Sequence, residues 1–371
     1  MKSIFFARFK PEKGGHGGIR RITQLNNTVS NFLNYKIETT KHPIKEWKID
    51  TRWGSLKYKW LRSFYQILDA WKDYGEHNFR YAVEWIERYK NRFDKWDFVL
   101  MEDPLYFAPL VDKIHKTPDL PLIVFIQNIE SLGSENFDEK KRLAFFTFEV
   151  ELLKKADLCV TISREETFLL KNLGVNVYYF PYYPSSDAET RMLQIREQRK
   201  NNEKKDILFV GTVGNTPTAR GLMSIIDAWK EYKLHRTGHK LIIAGYGTNA
   251  YASYTQNAEG IELIGPIDDK ILDTLLSKVA GTIIYQAAGS GALTKITELL
   301  IGNVPIIANS HAIRSHYNLS GIYEFVTFDE MAHIIKDGKF DLTDSIIPDK
   351  PDGSKLIDVI EKTIRRKPKN L

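Results

Sequence analysis

The chain has 371 residues, 43% hydrophobic and 27% charged, with 53 basic and 47 acidic side chains for a net charge of +6. This ordinary globular composition excludes a disordered or fibrous protein and allows two domains of moderate size. The charge suits an anionic substrate or an acidic membrane surface without requiring either. The single cysteine, Cys159, excludes an internal disulfide, and no apolar run reaches membrane-spanning length, so a soluble or peripheral cytoplasmic protein is expected.

Residues 3–7, SIFFA, form a strand-type apolar run. Gly14, Gly15, Gly17 and Gly18 then flank His16, and an amphipathic helix is expected from about Ile19. Strand, glycine-rich loop and helix in that order open a nucleotide-binding α/β unit. GGHGG lacks both the GxGxxG spacing of a dinucleotide fingerprint and the Gly-Lys-Ser/Thr of a phosphate loop.

Six of the seven tryptophans fall within residues 47–96, interleaved with Lys, Arg and Tyr. Two readings stand: two helices with tryptophans in the core, or a surface whose rings stack on acceptor sugars or dip into a membrane interface. No nucleic-acid-binding motif accompanies the basic and aromatic residues, so nucleic acid is not an expected partner.

Residues 96–104 and 120–132 read as strands running into polar ends. In α/β sheets the segments just past the strand carboxyl ends line the ligand crevice. That places Glu102, Asp103, Gln127, Asn128 and Glu130 as candidate crevice residues. A glutamine cannot act as a general base at neutral pH, so Gln127 is expected to orient hydroxyl groups. A helix over 138–156, a strand over 157–162 containing Cys159, and a capping-box-like start at Ser163–Glu166 follow. The Pro, Ser and charge-rich stretch after residue 180 reads as an interdomain linker.

The second half begins again with a strand, DILFVGTVGNTPTARGL, ended by Gly211 and followed by Thr212, Arg220 and Gly221. KLIIAGYGTN carries Gly245 and Gly247 at a strand end. Residues 288–308, AGSGALTKITELLIGNVPIIA, then read as a glycine-bearing loop, a short helix and a buried strand. Gly289, Ser290, Gly291 and Ala292 leave a backbone that a ligand can approach closely, and the opening amides of the helix favour an anion. Lys295 and Glu298 stand three apart and share one face. They suit a nucleoside diphosphate, with lysine on phosphate and carboxylate on ribose, and equally suit a solvated surface pair.

The pattern GSG…TKITELL…GNVPIIA resembles the donor-binding motif of glycosyltransferase family four, which has the GT-B fold. The resemblance implies an α/β protein with two facing Rossmann-like domains and a nucleotide-sugar cleft between them. It implies an N-terminal acceptor-side domain over 1–187, a linker over 188–205, a donor domain over 206–345 and a C-terminal segment over 346–371 whose helix crosses back. The family's Glu-x7-Glu pattern has its second glutamate at Glu298, while Ser290 stands in place of the first. Arg220 keeps a cation expected near the diphosphate, and Thr212 stands where an arginine is usual. QNIES resembles a His-Asn-Ile-Glu tetrad, with Gln127 in the histidine's place.

The residues thus implied are Arg220 and Lys295 for catalysis. Glu298, Ser290, Gly291, Ala292, Thr212, Gly211, Gly245 and Gly15 are implied for the donor, and His16, Gln127 and Asn128 for the acceptor and sugar. The implied reaction moves a sugar, with retention and without a metal cofactor, from a UDP or GDP sugar to a glycan, polysaccharide or lipid-linked acceptor. Peripheral membrane contact is compatible with this. A GT-B epimerase or phosphorylase-like enzyme, or a non-catalytic nucleotide-sugar-binding protein, would share the pattern.

Overall fold

The computed structural model describes residues 2–7, 17–32, 36–39, 93–105, 107–133, 138–214, 216–338, 340 and 344–366. Gly15, His16 and most of the tryptophan-rich stretch lie outside the described residues. The chain divides into two compact units, one of residues 1–181 with 351–371 and one of residues 182–350.

The first unit holds a parallel six-stranded sheet in the order β2-β1-β3-β4-β5-β6. Its strands are β1 (Lys2–Phe6), β2 (Lys36–Thr39), β3 (Phe98–Glu102), β4 (Leu122–Ile126), β5 (Leu158–Thr161) and β6 (Val177–Tyr179). Every residue of β3, β4 and β5 is buried, as expected of parallel strands covered on both faces. One face packs Val99, Met101, Leu122 and Val124 with helices α2 (Ala108–His115) and α3 (Glu139–Leu153). The other packs Phe98, Leu100, Ile123 and Phe125 with α1 (Gly17–Phe32). Cys159 sits in the buried β5, where burial pushes its thiol pKa up, so it is core and no nucleophile. Trp96 meets Phe6 and Phe93 edge-on, at ring separations of 6.3 and 5.8 Å.

Helix α4 (Arg164–Asn172) begins at Ser163, whose side chain accepts from the Glu166 amide at 3.3 Å. The expected capping box is only half present here. The Glu166 carboxylate accepts from the Ile129 amide at 2.9 Å instead.

The second unit repeats the plan, with parallel order β12-β11-β10-β7-β8-β9. In chain order it contains α5 (Ser186–Asn201), β7 (Lys205–Val210), α6 (Thr216–Glu231), β8 (Leu241–Ala244) and β9 (Ile261–Gly265). Next come α7 (Asp269–Lys278), β10 (Val279–Ile284), α8 (Thr294–Ile301), β11 (Ile306–Asn309), β12 (Ile322–Phe325) and α9 (Phe328–Asp337).

The charge-rich stretch read as linker folds largely as α5. Its Met192, Ile195 and Arg199 are buried, a spacing of three and four that makes one inward stripe. Arg199 is not a solvated charge. Its guanidinium donates to the carbonyls of Asn303, Leu276 and Val279 at 2.6–2.7 Å, tying α5 to the ends of α7 and α8.

The last helix, α10 (Gly353–Arg366), belongs to the first unit. Leu356, Ile357, Ile360 and Ile364 cluster there with Ile22, Leu25 and Val29 of α1. Among the described residues no helix is long and apolar enough to cross a membrane.

Candidate functional site

In the second unit the chain leaves β7 toward β8 and β9, then returns on the opposite side as β10. The neighbours β7 and β10 therefore flank the topological switch point, where open α/β sheets bind ligands beyond their carboxyl ends. Several of the sequence-derived candidates converge there.

Gly211 follows the end of β7 and Gly245 the end of β8. The Gly211 amide donates to the Ala244 carbonyl at 3.2 Å, and the Val213 amide to the Tyr246 carbonyl at 3.1 Å. Gly245 has φ +125, and a Cβ there would run into the Gly211 carbonyl oxygen. Glycine is thus required where the two strand ends touch. Gly221 plays the same part on the other side, since a Cβ on it would strike the carbonyl oxygen of Tyr285, just past β10. This brings α6 hard against the switch point, and Arg220 is the exposed residue beside that contact. Thr212 is exposed on the β7 loop.

The loop of Gly289, Ser290 and Gly291 follows β10, with φ of +132 and +73 at its two glycines. A residue that the sequence reading passed over, Arg314, holds it. The Arg314 Nε donates to the Gly291 carbonyl at 3.1 Å, and Nη2 donates to the Ser290 carbonyl at 3.0 Å and to Gln286 Oε1 at 3.2 Å. A trans peptide points its C=O and N–H in opposite directions. With two successive carbonyls turned toward Arg314, the amides of Gly291 and Ala292 are turned away from it. Successive amides on one side make an anion-binding concavity. Leu293 then leads into α8 without a capping side chain, which adds the opening amides of that helix to the same end.

Lys295 and Glu298 are not a solvated surface pair. Lys295 is half-buried and its Nζ donates to the Val210 carbonyl, the last residue of β7, at 3.3 Å. Glu298 is buried, and its Oε1 accepts from the Tyr182 hydroxyl at 2.6 Å. One turn of helix thus directs an ammonium to the switch point and a carboxylate to the start of the unit. On the far side of α8, Thr297 Oγ1 meets His316 Nε2 at 3.2 Å, and His316 Nδ1 lies 2.9 Å from the Arg314 carbonyl. Asn309, at the end of β11, exchanges two hydrogen bonds with the Gln286 backbone, at 2.7 and 3.0 Å. These contacts brace the loop.

In the first unit Gln127 and Asn128 line one cavity with Glu102, Asp103, Glu130 and Glu149. The Gln127 Nε2 donates to the buried Glu102 carboxylate and, at 3.4 Å, to the Gly18 carbonyl at the start of α1. Asn128 Nδ2 donates to Glu130 Oε1 at 2.9 Å. Glu149 spans the turn Glu130–Gly133: its Oε1 accepts from the Glu130 amide, and its Oε2 from the amide and hydroxyl of Ser131, at 2.5–3.0 Å. Burial pushes the Glu149 carboxyl up to about 7, against the lowering by these Ser131 and Glu130 hydrogen bonds. The polar groups of this cavity are largely engaged with one another, which makes it a braced wall of the unit.

Arg314 and Tyr182 left no local signal in the sequence. PYYP falls in the stretch read as a linker, and both side chains act on groups far along the chain.

No protein-family profile matches the sequence, and no curated protein matches it. Solved structures do. Anabaena HepE in complex with UDP aligns with a TM-score of 0.61 at 11% identity, covering 99% of this chain and 100% of that one. The catalytic domain of Arabidopsis thaliana starch synthase IV, bound to ADP and acarbose, aligns at 0.61 and 10% identity, covering 99% of each. TarM of S. aureus aligns at 0.55 and 14% identity over 77% of this chain, which spans only 58% of TarM's length. These neighbours are GT-B glycosyltransferases. The chain has the GT-B fold, with two Rossmann-like parallel-sheet units.

Proposed function

We propose that the protein is a glycosyltransferase that moves a sugar from a nucleoside diphosphate sugar to a hydroxyl acceptor. The observation that carries this reading is the set of groups at the switch point of the second unit. The Gly291 and Ala292 amides, turned away from Arg314, share that end of the sheet with Lys295, which reaches β7. A diphosphate is the ligand this set suits, and Glu298, one turn further along α8, suits the ribose.

In this reading the glycosidic C–O bond to the diphosphate breaks as the acceptor oxygen bonds to the sugar. Negative charge accumulates on the departing diphosphate, and Lys295, Arg220 and the loop amides stabilise it there. Removing one such preorganised group costs about 10²- to 10³-fold in turnover. Those cations take the part a metal would otherwise play, so we propose metal-independent transfer, and on the sequence resemblance we propose that it moves a hexosyl group with retention. A leaving-phosphate oxygen would receive the acceptor's proton. Ser290, Gly211, Gly245 and Thr212 would line the donor, and Gln127 and Asn128 would orient sugar or acceptor hydroxyls. We place Gly15 and His16 with the donor and acceptor respectively on sequence grounds alone. A glycan or lipid-linked glycan is the proposed acceptor, reached from the cytoplasm and, for a lipid-linked one, at the membrane surface.

The test is turnover of UDP-, ADP- and GDP-glucose, with and without oligosaccharide acceptors, in wild type and Lys295→Met. Release of diphosphate that depends on acceptor and collapses in the variant supports the reading. Turnover without acceptor would point to an epimerase-like or phosphorylase-like enzyme, and binding without turnover to a sugar-nucleotide-binding protein.

A further inference from the structure

We infer that Tyr182 is a positioning residue for ribose recognition: its hydroxyl fixes the Glu298 carboxylate in the orientation that reads the diol of a ribonucleotide donor. The inference rests on the nucleotide-sugar reading above. The Tyr182 hydroxyl donates to Glu298 Oε1 at 2.6 Å, with Tyr182 only 6% and Glu298 only 8% exposed. A glutamate has three side-chain rotors and loses much freedom when it must hold one geometry. A short charge-assisted hydrogen bond inside the fold removes that freedom before any ligand arrives.

Tyr182 is itself well anchored. The next residue, Tyr183, is buried in one cluster with Ile296, Leu299 and Leu300 of α8, the helix that carries Glu298. The Tyr183 hydroxyl donates to Glu189 Oε1 at 2.9 Å. The Lys350 ammonium lies 5.3 Å from the centre of the Tyr183 ring and 2.9 Å from Glu189 Oε2. Two consecutive tyrosines thus grip one helix, Tyr183 by its apolar side and Tyr182 by the carboxylate. A vicinal diol donates to a carboxylate through two hydroxyl groups, so its recognition depends on how that carboxylate is turned. A hydroxyl that merely stabilised the fold would have no bearing on whether a ligand carries that diol.

The experiment measures calorimetric affinities of UDP, ADP and GDP beside their 2′-deoxy and 2′,3′-dideoxy counterparts. It uses wild type, Tyr182→Phe, Glu298→Gln and the double variant, with melting temperatures recorded for all four. Wild type should prefer the ribonucleotide. Tyr182→Phe should cut that preference about tenfold, equivalent to the tenfold step of a binding constant, while leaving dideoxy affinity unchanged. In the Glu298→Gln background Tyr182→Phe should have no further effect on the preference, because the hydroxyl acts through that carboxylate. An unchanged preference in Tyr182→Phe overturns the inference, whatever happens to the melting temperature. Absence of any diphosphate binding to wild type overturns the donor reading itself, a separate and recognisable result.

Discussion

The Lys295 ammonium donates to the Val210 carbonyl at 3.3 Å, so the only lysine of α8 is tied to the end of the first strand of its own sheet. A main-chain carbonyl carries only a partial charge. A phosphate oxygen at the same place would be the stronger partner for an ammonium with three donors. The contact places the cation beside the switch point in advance of any ligand.

Lys295→Met keeps the apolar stem and removes the charge. Affinity for a nucleoside diphosphate should fall ten- to a hundredfold, about 1.4–2.8 kcal/mol, while affinity for the parent nucleoside stays constant. Calorimetry on both ligands checks this. Equal losses for nucleoside and diphosphate would remove Lys295 from the phosphate site.

Arg314→Lys tests the clamp separately from the charge. Lysine keeps the cation but has no planar fork, so it cannot hold the Ser290 and Gly291 carbonyls together as Arg314 does. The loop amides should lose their common orientation and diphosphate affinity should drop about tenfold. Amide hydrogen exchange at Gly291 and Ala292 should quicken in the free protein. Unchanged exchange and affinity would show that the loop holds its shape without the fork.

The strand–helix alternation was legible in the sequence because parallel strands buried on both faces read as short apolar runs, as at Val99–Leu100 and Ile306–Ala308. The loop and helix of residues 288–301 were legible for a different reason, since glycines and a charged pair stood at fixed spacing. The partners were not. Nothing beside Glu298 in the sequence announces Tyr182, 116 positions away, and nothing in HAIRSHYN announces that Arg314 turns to two carbonyls of another loop. α5 was obscured by its charges, because a buried arginine that caps three carbonyls looks, residue by residue, like one in a solvated linker.

Gly245→Ala should destabilise the second unit by about 2 kcal/mol or more, combining positive-φ strain with the collision against the Gly211 carbonyl. Gly238 is the control: it has φ +86, but a Cβ there meets nothing within 4 Å. Gly238→Ala should therefore cost only the backbone term, about 1 kcal/mol. Urea denaturation of both variants gives the comparison. Equal losses would mean that the contact between the β7 and β8 ends can relax.

Glu149 makes the first unit sensitive to pH. Burial raises its carboxyl from 4.5 to about 7 in the folded protein, overriding the lowering effect of the Ser131 and Glu130 hydrogen bonds. A group whose folded pKa is raised contributes stability fully below its unfolded value and loses it as pH climbs through the folded one. The folded state holds the proton between pH 4.5 and 7 while the unfolded state has released it. Stability should accordingly fall with rising pH across that window, by roughly 3 kcal/mol from this group. Glu149→Gln removes the titration. It also turns an amide NH₂ toward N–H donors that both carboxyl oxygens now satisfy, at a cost of about 1–3 kcal/mol. Urea midpoints at half-unit steps from pH 4.5 to 7 should show a lower and flatter profile for the variant, with the gap to wild type narrowing as pH rises. Parallel profiles would mean that the Glu149 carboxyl ionises near its ordinary value and that its three donors offset the burial.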